Sequence, residues 1–95
     1  MTFEWDEAKE KTNIKKHGID FATAARVFND SFRIEWFDWD HSDNEDRYIT
    51  IGEVGGRPLV IYVAYTERTD VIRLISARKA TTREKRHYYD KKKRD

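Results

Sequence analysis

Residues Leu59-Val60-Ile61-Tyr62-Val63-Ala64-Tyr65-Thr66-Glu67-Arg68-Thr69-Asp70-Val71-Ile72-Arg73-Leu74-Ile75-Ser76-Ala77-Arg78-Lys79 set two apolar segments on either side of a charged turn. Leu59 to Tyr65 is apolar on both parities, which predicts a central strand buried on both faces. Val71 to Ala77 pairs back on it through the turn Glu67 to Asp70. The second strand runs out into Arg78 and Lys79 just before a helix start, and the turn holds Glu67 and Arg68. Fixed cations at a strand end suit phosphate, because a guanidinium fork grips two oxygens and keeps its charge.

Working outward, Arg47 to Val54 reads as a strand that Gly55-Gly56 turns into a hairpin. Phe32 to Asp38 alternates loosely and breaks at the acidic loop Asp40 to Asp46. Near the N-terminus, Thr2 to Trp5 is strand-like. Asp6 is a helix N-cap, and Lys16-His17-Gly18 closes that helix with basic side chains and a glycine. Asp20 caps a second helix in which Phe21, Ala24, Ala25 and Phe28 fall at i, i+3, i+4 and i+7, a core-facing stripe. Asn29-Asp30-Ser31 stops it. Thr81 and Glu84 form a capping box that opens a basic C-terminal helix. The order is β-α-α-β-β-β-β-α, an α+β architecture with two helices on one face of a mostly antiparallel sheet. The large apolar residues of the last helix are Tyr88 and Tyr89, which are adjacent. Little burial is expected of it, so it either frays in the free protein or receives a partner.

Ninety-five residues, 38% hydrophobic and 39% charged, make one small domain over 1–95 with a thin core. The net charge of +1 hides an asymmetry. From Glu35 to Asp46 every charged residue is acidic, and from Arg83 onward the balance is strongly basic, which points to nucleic-acid or charged-partner contacts. The absence of cysteine excludes disulfides, thiolate catalysis and thiolate metal sites. No apolar run approaches the ~20 residues needed to span a bilayer, and the acidic N-terminus is unlike a leader. A cytoplasmic protein without membrane contact is expected.

On the first helix, Lys9, Asn13, Lys16 and His17 fall within roughly 100° of arc. That stripe either grips a phosphate backbone and supplies an acid or base, or it is a solvated face whose Lys16 and His17 cap the helix end. Arg68 and Arg78 are the stronger candidates. Cleaving RNA through its own 2′-hydroxyl needs a base, an acid, and cations for the charge on phosphorus, but no metal. Glu67 is either that base or an ion-pair partner of Arg68 or Arg73. Arg73 lies on the opposite strand parity to Arg78 and reads as a structural ion-pair residue. Asp38, Asp40, His41, Asp43 and Glu45 lack the spacing of a metal cage, so neither metal nor cofactor is expected and the loop reads as solvated. Trp36, Phe37 and Trp39 cannot all face a core; one is expected outward, to stack on a base or pack on a partner.

These pieces resemble the BrnT family of bacterial type II toxins. The resemblance rests on Phe3-Glu4-Trp5-Asp6 with Lys9, then Asn13, Lys16-His17-Gly18, Phe21, Ala24 and Val27-Phe28. It continues through Asp40, Ser42, Glu45, Arg47, Ile51-Gly52, Tyr65-Thr66-Glu67-Arg68, Arg73, Ile75-Ser76-Ala77-Arg78, Ala80-Thr81 and Glu84. Ser31 stands where the family usually has proline. The resemblance implies a RelE-like ribonuclease fold and an endoribonuclease that arrests growth. It also implies a BrnA-type ribbon-helix-helix antitoxin, which brings the complex to operator DNA. On this reading Arg68, Arg78, His17 and Glu67 are the catalytic candidates, and Lys9, Lys16, Arg47 and Lys79 contact RNA. Arg83, Arg86, Tyr88 and Tyr89 of the C-terminal helix meet the antitoxin. The competing reading is a non-catalytic RNA-binding or partner-binding module.

Overall fold

The computed structural model describes residues 1–94. Its strands are β1 (Thr2–Glu4), β2 (Ile34–Phe37), β3 (Arg47–Glu53), β4 (Val60–Arg68) and β5 (Val71–Lys79). The helices are α1 (Glu7–His17), α2 (Phe21–Ala25) and α3 (Thr82–Arg94), with single 3-10 turns at Arg26–Asn29 and Trp39–His41. The strands form one mixed sheet in the order β1-β5-β4-β3-β2, antiparallel except where β1 runs parallel to β5. The β4–β5 turn is tight: Thr69 and Asp70 both take positive φ, 41° and 58°, as the twist of a two-residue hairpin requires.

Strand alternation divides the core in two. Ile61, Val63, Tyr65, Ile72, Leu74 and Ala77 face α2 and the turn after it, where Phe21, Ala24 and Val27 are fully buried. The other face carries Ile49, Ile51, Val60 and Ala64 with Ile34, and α3 covers it. Gly52 sits where a Cβ would come within 3.0 Å of Val27, Asp30 and Arg33 side chains, so the second helical turn packs directly on β3 there.

The helix ends form as their sequences dictate. Asp6 Oδ1 accepts from the Lys9 N–H at 3.0 Å, and the Asp20 carboxylate accepts from both the N–H and the hydroxyl of Thr23. Gly18, at φ 70°, closes α1 with an N–H···O bond to Ile14. What α1 lacks is an apolar face. Its one buried residue is Asn13, whose Oδ1 accepts from the Ala77 N–H at 3.0 Å while Nδ2 donates to the Ala77 and Ile19 carbonyls at 2.9 Å. Strand β1 pairs with β5 only at residues 71–73. Beyond that point the carboxamide stands in for a neighbouring strand and satisfies the open edge.

The C-terminal helix corrects an expectation. Tyr88 is fully buried among Ile34, Ile49, Ile51, Val60 and Ala64 rather than presented to a partner. Its hydroxyl donates to Asp30 and, at 3.2 Å, to Glu53, which also takes the Tyr89 hydroxyl and the Lys92 ammonium. One ring that is apolar in body and polar at its tip anchors the helix without an i, i+4 stripe. Burial, and then the hydrogen bond to Asp30, push the Tyr88 phenol well above its ordinary range. The first turn of α3 is clamped as well. Glu84 accepts two bonds from Arg78, at 2.8 and 3.0 Å, and completes the capping box with Thr81.

Candidate functional site

Strand β5 carries a bulge opposite the Ala64–Tyr65 step, where Ala64 pairs with Ser76 and Tyr65 with Leu74. Ile75 is the extra residue, and a bulge re-aims the side chains that follow it. Arg73 faces across to Thr66, and Arg78 to Tyr62. Thr66 and Tyr62 share a face of β4, so Arg73 and Arg78 share one too, against the parity expected of an unbroken strand. The bulge lies beside α1. Lys9, Asn13, Lys16 and His17 overlook Ile75 and Ser76 there, forming one wall of a shallow groove.

Lys9 and Ile75 also border a second hollow of about 440 Å³, continued by Asp40, His41, Asp43, Glu45, Arg47 and Thr66. The two hollows therefore adjoin at Lys9 and Ile75, one beside the end of α1 and the other beside the 38–47 loop. Arg47 and Thr66 are register partners on β3 and β4. The Arg47 Nε and the Thr66 hydroxyl are buried without a hydrogen-bond partner among the described residues, and Thr66 as a whole is only 2% exposed. Buried polar groups are usually paired, so these two are an exception at the floor of the hollow, beneath the accessible surface rather than on it.

The acidic loop over this hollow is built rather than loose. Asp38 precedes the 3-10 turn Trp39–His41, where residues three apart eclipse. His41 Nδ1 therefore lies 3.1 and 3.2 Å from the two Asp38 oxygens. Ser42 ties the loop down: its hydroxyl donates to the Asp38 carbonyl at 2.6 Å and accepts from the Arg47 N–H at 3.0 Å. A reading of this loop as solvated missed the pair. The signal was there in the Asp38-to-His41 spacing, legible only to a reader expecting a single tight turn.

Among the other sequence candidates, the groove gathers Lys9, Lys16, His17 and Arg47. Arg68 is tied to the groove wall by a two-point bond to Glu45, 2.8 and 2.9 Å. Those bonds hold the Glu45 carboxyl below its usual range and raise the guanidinium. Arg78 was expected as a free cation at a strand end. Instead it stacks 3.7 Å from the Tyr62 ring centre and is spent on Glu84, whose hydrogen bonds raise its pKa further. Glu67 lines a separate hollow beside Met1, Thr2 and Thr69, apart from the basic groove. Lys79 is exposed at the end of β5, outside the groove. Arg73 pairs with Glu4 at 3.0 Å, the structural role its sequence suggests. Trp39 is 82% exposed and Trp36 41% exposed, so two of the three clustered aromatics face outward. On α3, Arg83 and Arg86 are exposed and Tyr89 is half-buried.

The sequence matches the family described as ribonuclease toxin, BrnT, of type II toxin-antitoxin system, over residues 5–84. The chain belongs to that family. Comparison with curated proteins returns no match. The matched span runs from Trp5 to Glu84 and so takes in the whole groove, the bulge and the clamp on α3. A BrnT toxin has an antitoxin as partner and RNA as substrate. Among the described residues no helix is long and apolar enough to cross a membrane.

Proposed function

We propose that this BrnT-family protein is an endoribonuclease of RelE-like fold that cuts RNA by attack of the 2′-hydroxyl on the adjacent phosphodiester, without a metal. It works in the cytoplasm and is neutralised by a BrnA-type antitoxin. The observation that carries the reading is the set of basic side chains around two adjoining hollows, Lys9, Lys16 and His17 on α1 and Arg47 on β3. Lysines spaced along α1 suit successive phosphates, and the Arg47 guanidinium supplies a cation for the non-bridging oxygens of one of them. Arg68 adds charge at the far wall when Glu45 releases it; His17 serves as a phosphate clamp beside Lys16. Arg78 and Glu67, set apart from the groove, are assigned no contact with the phosphate being cut. The antitoxin is proposed to meet the exposed side of α3 through Arg83, Arg86 and Tyr89, close enough to the sheet to cover the groove.

The test is cleavage of a defined single-stranded RNA by the purified chain with and without EDTA. Cleavage that persists in chelator and leaves 2′,3′-cyclic phosphate ends is expected. A reaction that stops in EDTA and returns with a divalent ion refutes the metal-free route. Lys9→Ala with Lys16→Ala should weaken RNA binding and flatten its salt dependence by roughly 0.7 in log–log slope for each phosphate no longer neutralised. Unchanged affinity and slope would remove the groove from the RNA path.

A further inference from the structure

We propose that His41, oriented by Asp38, is the general base that takes the proton of the attacking 2′-hydroxyl, an inference that rests on the ribonuclease reading above. The carboxylate of Asp38 is largely covered, its side chain 11% exposed, whereas the His41 ring is 63% exposed. The ring thus lies between a buried acceptor and the groove. Asp38 accepts from Nδ1–H, which fixes that tautomer and leaves the lone pair on Nε2. His41 borders the same hollow as Arg47, Thr66 and Lys9. A base and two cations therefore border one space, which supplies what 2′-hydroxyl attack requires apart from the acid, a part left to water. The charged groups around the ring are Asp38, Asp40, Asp43 and Glu45 of its own loop, Arg47 from β3 and Lys9 from α1.

In the chemical step, His41 Nε2 removes the 2′-hydroxyl proton while the 2′-oxygen forms a bond to phosphorus. The bond from phosphorus to the 5′-oxygen breaks, and that oxygen takes a proton from water. The products are a 2′,3′-cyclic phosphate and a 5′-hydroxyl, and the imidazolium returns its proton to solvent. Arg47 and Lys9, which border the hollow with His41, offset the charge that grows on the non-bridging oxygens.

The experiment compares kcat/KM against pH for the parent, His41→Asn, His41→Gln and Asp38→Asn, with binding of an uncleavable 2′-deoxy-substituted oligonucleotide measured in parallel. His41→Asn keeps an amide near the Nδ1 position, so the hydrogen bond to Asp38 and the loop survive without the base. Both His41 variants should lose at least a hundredfold in kcat/KM, bind the uncleavable oligonucleotide as the parent does, and lose the acidic limb of the profile. Asp38→Asn acts through the ring. It should lower kcat while leaving KM and binding of the uncleavable oligonucleotide unchanged, because the imidazole loses the acceptor that sets its tautomer and orientation. Parent-like rates and an unchanged acidic limb in both His41 variants would overturn the assignment while leaving the ribonuclease reading intact. A parent protein that binds RNA and never cuts it would overturn that reading and the dyad with it.

Discussion

Asn13→Ala tests how α1, and the lysines it carries, are held to the sheet. The wild-type carboxamide makes three hydrogen bonds to backbone, 2.9 Å to Ile19, and 2.9 and 3.0 Å to Ala77. Asn13 is 5% exposed, so water replaces those bonds poorly. A neutral hydrogen bond contributes about 1 kcal/mol net, and a backbone group left buried and unpaired costs about 1–3 kcal/mol. Some relief comes because the outer side of α1 faces solvent and the helix can shift. A loss of roughly 2–4 kcal/mol follows, a large fraction of the stability of a domain this size. The assay is urea unfolding followed by the fluorescence of Trp5, Trp36 and Trp39. With a slope of about 1–2 kcal/mol per molar urea the midpoint should fall by roughly 1–4 M. Asn13→Asp sharpens the test. Its carboxylate still accepts from the Ala77 N–H, yet it faces the carbonyls of Ala77 and Ile19 with nothing to donate. Burial and that repulsion raise the new carboxyl above its unfolded value, so the variant should regain stability as pH falls. An Asn13→Ala protein within about 0.5 kcal/mol of the parent would refute the reasoning, since the open edge of β5 would then be satisfied some other way.

Tyr88→Phe should cost about 1–2 kcal/mol through the acceptors left at Asp30 and Glu53, and Tyr88→Ala about 3–5 kcal/mol through the cavity. Equal and negligible losses in urea unfolding would mean that α3 does not dock as described. Deletion from Arg83 onward should likewise unfold or loosen the domain, so point substitutions at Arg83 and Arg86 are the cleaner probe of antitoxin binding. Glu84→Gln should lower stability at neutral pH. The hydrogen bond from Arg78 holds the Glu84 carboxyl below its ordinary 4.5. That stabilisation is present above 4.5 and disappears as pH falls through the folded value, so the gap between parent and variant should close in acid. A gap that stays constant down to the end of the carboxylate range would exclude the Arg78–Glu84 bond as its source.

The sequence by itself determined the elements whose causes lie within a few residues. Asp6 and Asp20 as caps, Gly18 as a helix end, the Thr81–Glu84 box and the pairing of the last two strands all depend on local bonds and periodicity. The turn expected over Glu67 to Asp70 nevertheless narrows to Thr69-Asp70, with Glu67 and Arg68 inside β4. The basic stripe on α1 was legible for the same reason, because 3.6 residues per turn fixes which side chains share a face. Tertiary structure decided what those side chains meet. The bulge at Ile75 arises from the registers of two strands, and it alone puts Arg73 and Arg78 on one face. Arg78 looked free until the start of α3 folded back and brought Glu84 to it. Tyr88 looked like surface because its socket is assembled from β2, β3 and β4, far away in the chain. Asp38 and His41 looked like solvated charge, since only a single 3-10 turn, tied down by Ser42 and packed over Arg47 and Thr66, aims an imidazole at a groove. Charge and polarity are written in the chain, but whether a charge is spent or free depends on partners that register and packing deliver.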